Sequence, residues 1–345
     1  MKTNRFGLVQ FLWFEMNYKS TTVFSFPSLF ICRRRRAGEN RRKEKDEGAG
    51  DFGNENVELV RSISNLKLPK AVILGNHDSW TTQTFSEKKT NRVRLQLECL
   101  GEEHVGYSRL DFPTLKLCVL GGRPFSIGGD KLFRPRLLSS RYGVNNMEES
   151  AKKICKAARG IPEGHCVIIL AHNGPTGLDS DATFRLLFIG LGSNADDICG
   201  IDWIYGGGDH GDPDLARAIS DLQRDEQIPI PLVVFGHMHN TLRYGGLRKM
   251  IVVASDNTIY LNGAIVPRVK DSLLADPGSS TEGLTDPRGS AEGHNQLQTS
   301  GVSTLRAFTV VEMLDGEVEK IAETWVLVSD SNVEIGQETF LFQKQ

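Results

Sequence analysis

The residues able to do chemistry gather in three short stretches that share one grammar. AVILGNHD at 71–78, VIILAHNG at 167–174 and LVVFGHMH at 232–239 each run from an apolar, β-prone strand into a polar loop carrying histidine. In the last, Gly236 lets the backbone turn, and His237 and His239 stand two apart. Side chains i and i+2 of an extended segment share a face, so both rings can enter one pocket. Two neutral imidazoles converging outside a buried strand make the start of a metal site. The plainer alternative is a pair of loop histidines with no ligand. Four of the eight histidines of the chain lie in these three loops, which favours a shared task. Open α/β sheets bind ligands outside the carboxyl ends of their strands. Asn76, His77, Asp78, His172, His237 and His239 are therefore expected in one crevice. Asp51 in GAGDFGNEN offers a carboxylate able to bridge two cations, the alternative being a helix N-cap turn.

The elements that must position these loops are readable nearby. Val57, Val60, Ile63 and Leu66 repeat at a helical period, and 87–99 reads as a second helix. LKLCVLGGRPFS is a strand ending at Gly121 and Gly122. MEESAKKICKAARG is an amphipathic helix with Gly160 as its stop. GDPDLARAISDLQ opens as a helix with Asp212 at the N-cap and Pro213 at the first helical position. MIVVAS, TIYLNGA, RAFTVVEML and KIAETWVLV read as further strands. GGGDHGDPDL reads as a glycine-rich turn and cap, or as a substrate-side loop or extra cation contact through Asp209, His210 and Asp212. Arg123 reads either as a phosphate donor or as a solvated loop arginine.

Composition narrows the class. At 345 residues the chain suits one large or two smaller domains, and its 39% apolar and 24% charged residues are ordinary for a soluble globular protein. A net charge of -2 supplies no basic field, so no nucleic-acid partner is expected. Six scattered cysteines form no CxxC pair, which argues against a zinc knuckle or disulfide framework; Cys118 and Cys166 read as core residues. No apolar run reaches the roughly 20 residues of a membrane span. Residues 1–49 differ from the rest: aromatic and acid-poor, then strongly charged through RRRR at 33–36. They read as a disordered arm, a targeting segment, or a stretch standing in place of the domain's own start. The inserted segments 179–190 and 267–303 are expected to be mobile loops, and 331–345 a tail.

Asp51 in GDxxN, Gly75-Asn76-His77-Asp78, His172 and Gly236-His237-Met238-His239 follow the order of the calcineurin-like metallophosphoesterases, which this chain resembles over about 50–330. HNGPTGL, DICGIDW and GGGDHGDPDL resemble a plant and cyanobacterial branch. The resemblance implies an α/β fold, a four-layer α-β-β-α sandwich. It also implies hydrolysis of a phosphomonoester or phosphodiester by metal-activated water. The substrate would be a small phosphate ester, and the cofactors two divalent ions from among manganese, iron, zinc and magnesium. Asp51, Asn76, His172 and His237 would form one metal site, Asp51 and His239 part of the other. His77 would act as outer-sphere acid, with Asp78 orienting its ring. The family's opening strand, ending in Asp-x-His, has no counterpart upstream of Asp51, so that strand is expected to be missing or replaced. An impaired pseudo-phosphoesterase acting as a binding module is the alternative. The branch and the acid-poor start suggest a chloroplast location, with the cytoplasm as alternative.

Overall fold

The computed structural model describes residues 5–10, 13–17, 20–24, 29–33, 52–177, 194–271, 303–329 and 333–344, the first four segments as backbone only. Those four are strands: β1 (Arg5–Gln10), β2 (Trp13–Asn17), β3 (Ser20–Phe24) and β4 (Leu29–Arg33). After them come α1 (Val57–Ser64), β5 (Lys70–Val72), α2 (Arg92–Leu100), β6 (Arg109–Phe112), β7 (Leu117–Gly121) and α3 (Pro135–Tyr142). Next are α4 (Met147–Ala157), β8 (Cys166–Leu170), α5 (Pro213–Arg224), β9 (Leu232–Phe235) and β10 (Ile251–Val253). β11 (Ile259–Asn262), β12 (Val269–Asp271), β13 (Thr304–Leu314), β14 (Glu317–Val328) and β15 (Val333–Gln343) complete the order.

One sheet runs β10-β11-β9-β8-β7-β6, with its four central strands parallel and an antiparallel strand at each edge. The other runs β15-β14-β13-β1-β4-β5, with β12 also on β13. β7, β8 and β9 at the centre of the first sheet are apolar and buried on both faces, as in sheets covered on both sides. Val167, Ile169, Val233 and Phe235 pack towards the helices, whereas Ile168, Leu170, Leu232 and Val234 join Val311, Met313 and Ile321 in a second core between the sheets. The chain is an α/β sandwich, as expected. No helix among the described residues is long and apolar enough to cross a membrane.

Several expectations are corrected. The helix foreseen over 87–99 starts only at Arg92, because Asn91 accepts Arg94 N–H as its N-cap, 2.8 Å. The expected tail contains β15, paired along β14. The expected loop 267–303 contains β12; 272–302, like the whole insertion at 179–190, lies outside the described residues. The N-terminal segment, read as a disordered arm, a targeting segment or a stretch in place of the domain's own start, supplies β1 beside β13 and β4 beside β5.

Arg123 is neither solvated nor substrate-facing. It is 1% exposed, with Nη2 2.7 Å from Asp212 Oδ1 and Nε 3.0 Å from Asp214 Oδ2. Asp212 sits at the N-cap position of α5 with Pro213 after it, yet its side chain does not cap; it accepts from Arg123 and from Ser126 Oγ, 2.6 Å. Ser150 of α4 donates to Asp214 and lies 2.6 Å from Tyr107 Oη. Burial, with Asp214 as a like-charged neighbour, pushes Asp212 up to about 7 against the pull of Arg123. One guanidinium thus ties the loop after β7 to α4 and α5. Removing one partner of a buried pair strands the other charge, at about 3–5 kcal/mol. Arg123→Ala is expected to lower the urea unfolding midpoint by a corresponding amount. Arg61→Ala, which breaks an exposed pair with Glu58, should leave the midpoint in place.

Candidate active site

The crevice is built where strand ends meet. Gly236 N–H donates to the carbonyl of His172, 2.9 Å, joining the loops that leave β9 and β8. Met238 N–H then reaches back to Gly236 O, 2.7 Å, closing a three-residue turn with His237 at its centre and φ at +64°. A non-glycine residue in that region carries backbone strain, which persists where surrounding contacts over-determine it. They do so here. Asn262 Nδ2 donates to Met238 O, 2.6 Å, and the buried Arg248 donates from Nε to His239 O, 2.9 Å. Arg248 also donates from Nη1 to the carbonyls of Ala195, Asp197 and Gly200.

The turn after β5 brings the other side. Gly75 N–H donates to Asp78 Oδ2, 2.8 Å, and Gln96 of α2 donates to Asp78 O, 2.8 Å. This fixes a single 3-10 turn over His77–Ser79. Asn76, 5% exposed, thereby places Oδ1 3.0 Å from Nε2 of the fully buried His172. His172 and His237 meet edge to face at 5.1 Å between centroids. The His77 ring stacks on Trp80 at 4.7 Å and 9°, and its Nδ1 is 2.6 Å from Asn54 Oδ1. Asn54 Oδ1 is thus placed to orient this ring, and Asp78 Oδ2 accepts from the Gly75 amide. His239 is exposed but close enough to His77 and His237 to disfavour their protonation. Asp51 lies outside the described residues.

His210, read from the sequence either as part of a glycine-rich turn or as a substrate-side or cation contact, joins the same cluster. Its ring lies 6.1 Å from that of His237 at 24°, and Trp203 meets it edge to face at 5.0 Å and 89°. Gly128, at φ +83°, allows this approach: a Cβ there would fall 2.3 Å from His210 O. Asn173 Nδ2 donates to the same carbonyl, 2.7 Å. The histidine in GGGDHGDPDL was the available signal, obscured by the good helix start that follows it.

The electrostatics favour neutral rings. Burial first, then His237 and His77, hold His172 well below the ordinary histidine value. Burial, followed by His210, His239 and His77, lowers His237 to about 3. Neutral imidazole nitrogens and an amide oxygen are donors for borderline divalent cations. Two donors about 2.1 Å from one ion at right angles stand about 3 Å apart, which the Asn76–His172 pair matches. The residues here that could hold a cation are Asn76, through Oδ1, and His172, with the His237 ring beside them. Among the described residues no three His, Cys, Asp or Glu side chains form a metal-holding group.

The calcineurin-like phosphoesterase model matches residues 46–241, more than half of the chain. The chain belongs to the calcineurin-like phosphoesterase family. The match spans all three histidine loops and ends two residues past His239. Searches of curated proteins and of solved structures returned no match.

A pH dependence follows for the metal-free protein. His237 is folded with its pKa lowered from 6.5 to about 3. Its contribution to stability is thus present above pH 6.5 and is lost as pH falls towards 3. Urea midpoints at pH 7 and pH 5 should show a smaller acid loss for His237→Gln than for the parent; parallel losses would contradict the assignment.

Proposed function

We propose that the chain is a metal-dependent hydrolase of small phosphomonoesters or phosphodiesters. Membership of the family supports phosphoester chemistry, and the observation that carries the finer reading is the convergence of Asn76 Oδ1, His172 and His237 at three strand ends. Asn76, His172 and His237 would hold one cation, with Asp51 as its carboxylate and as the bridge to a second ion on the His239 side. When bound, divalent cations supply Lewis acidity and lower the pKa of water.

The protein's own residues supply position and protons. The His237 turn and the Asn76 turn are each locked by backbone and buried side-chain bonds, so the donors are held before any ligand arrives. His77 stands at the rim. Its Nδ1–H is committed to Asn54 Oδ1, so the proton it exchanges with substrate is the one on Nε2. Burial and His239 hold its pKa down. An approaching phosphoryl dianion acts in the opposite sense and favours the imidazolium able to protonate a leaving oxygen.

Metal content and turnover test this together. The full chain should take up two equivalents of manganese or zinc and hydrolyse a generic aryl phosphate. Asn76→Ala and His237→Ala should each weaken metal binding by more than the roughly 10–100-fold typical of an outer-sphere partner. One equivalent with no turnover would instead make the chain a binding module. Unchanged binding in both variants would refute the ligand assignment.

A further inference from the structure

Six aromatic and imidazole rings line the crevice and its two rims. Trp80 stacks on His77 at 4.7 Å; His172 meets His237 at 5.1 Å; His237 faces His210 at 6.1 Å; His210 meets Trp203 at 5.0 Å. His77 lies within electrostatic reach of both His172 and His237, which connects the two halves. The end members are the two tryptophans, 45% and 39% exposed. A tryptophan that large normally hides most of its surface. Here both keep ring surface open to solvent beside the imidazoles.

Each tryptophan is held in place. Arg134 donates to the carbonyls of Ser79 and Trp80, fixing the backbone under the Trp80 ring. Trp203 rides on a loop closed at its base by the antiparallel bridge between Gly200 and Asp209 and by Ile201 N–H to Gly208 O, 2.8 Å. His210 N–H donates to Cys199 O, 2.9 Å, so the two arms of that loop carry Trp203 and His210 in fixed relation. Trp80 has already placed one ring face on His77. Trp203 meets His210 nearly at right angles, so this contact leaves at least one of its faces unstacked. Ile204 and Tyr205 extend the apolar surface outward, at 54% and 105% exposure.

We propose that Trp203 is a specificity residue of the site, a platform that stacks a planar aromatic group joined to the phosphoryl group of the substrate. The substrate class is then an aryl or heteroaryl phosphate ester rather than an aliphatic one. Aromatic rings are favoured over alkyl chains because an exposed indole presents a flat, electron-rich face, and stacking adds to plain area burial. This rests on the assignment of phosphoester chemistry to the crevice.

Phosphonates, which bind without being hydrolysed, separate the two claims. With manganese-loaded full chain, calorimetry should show phenylphosphonate binding about tenfold tighter than propylphosphonate. Trp203→Ala should bring that ratio close to one with propylphosphonate affinity unchanged, and Trp203→Phe should keep most of it. Tyr205→Ala, on the same loop but with no ring contact to the imidazoles, should keep the full ratio. Equal binding of both phosphonates by the parent would overturn the aromatic preference and leave the phosphoester reading standing. A ratio that survives Trp203→Ala, or that Tyr205→Ala also removes, would overturn the role of Trp203. If neither phosphonate binds, both readings fall.

Discussion

The hydrogen bond from Gly236 N–H to His172 O, 2.9 Å, ties together the ends of two parallel strands, and the rest of the crevice depends on it. β8 and β9 are adjacent and in register, so their loops leave the sheet side by side. Once Gly236 is bound to His172, the chain can reach Met238 only through a tight turn, and His237 takes φ +64° at its centre. In that conformation the His237 ring meets that of His172 edge to face, 5.1 Å between centroids. Arg248 and Asn262 then hold the outer half of the loop through backbone carbonyls. The strain at one residue is balanced by four or five bonds around it, an arrangement suited to a site that must keep its donors apart from solvent and close to each other.

Much of this was legible in the residues. The repeated pattern of an apolar strand followed by a histidine loop placed Asn76, His77, His172, His237 and His239 at one end of the sandwich. Each signal was local, and burial on both strand faces leaves few alternatives for runs such as VIIL and LVVF. What the sequence did not reveal were contacts between segments far apart in the chain. Arg123 reads as a loop residue because nothing near it is acidic; its partners are Asp212 and Asp214, some ninety positions away. The same pairing draws Asp212 away from the capping role that its position suggests. His210 sits among glycines that signal a turn, and the close approach that Gly128 leaves open to it, far off in sequence, accompanies the stacking of its ring on His237. Orientation of His77 through Asn54 likewise joins residues 23 apart.

The N-terminal part of the fold bears on how complete the site is. β1 and β4 stand between β13 and β5 in the second sheet, the place where a strand must cover the backbone groups of both neighbours. Upstream of Asp51 the chain contains no Asp-x-His pair. The sheet is therefore continuous while the donors that such a pair would bring are not provided from that position. The half of the crevice built on Asn76, His172 and His237 does not depend on them.

Anomalous diffraction from crystals of the manganese-loaded protein tests the central claim most directly. The account predicts a peak within coordination distance of Asn76 Oδ1, His172 Nε2 and a ring nitrogen of His237, about 2–2.3 Å from each. A loaded protein whose manganese lies elsewhere, with Asn76 still hydrogen-bonded to His172 and no peak between them, would contradict it.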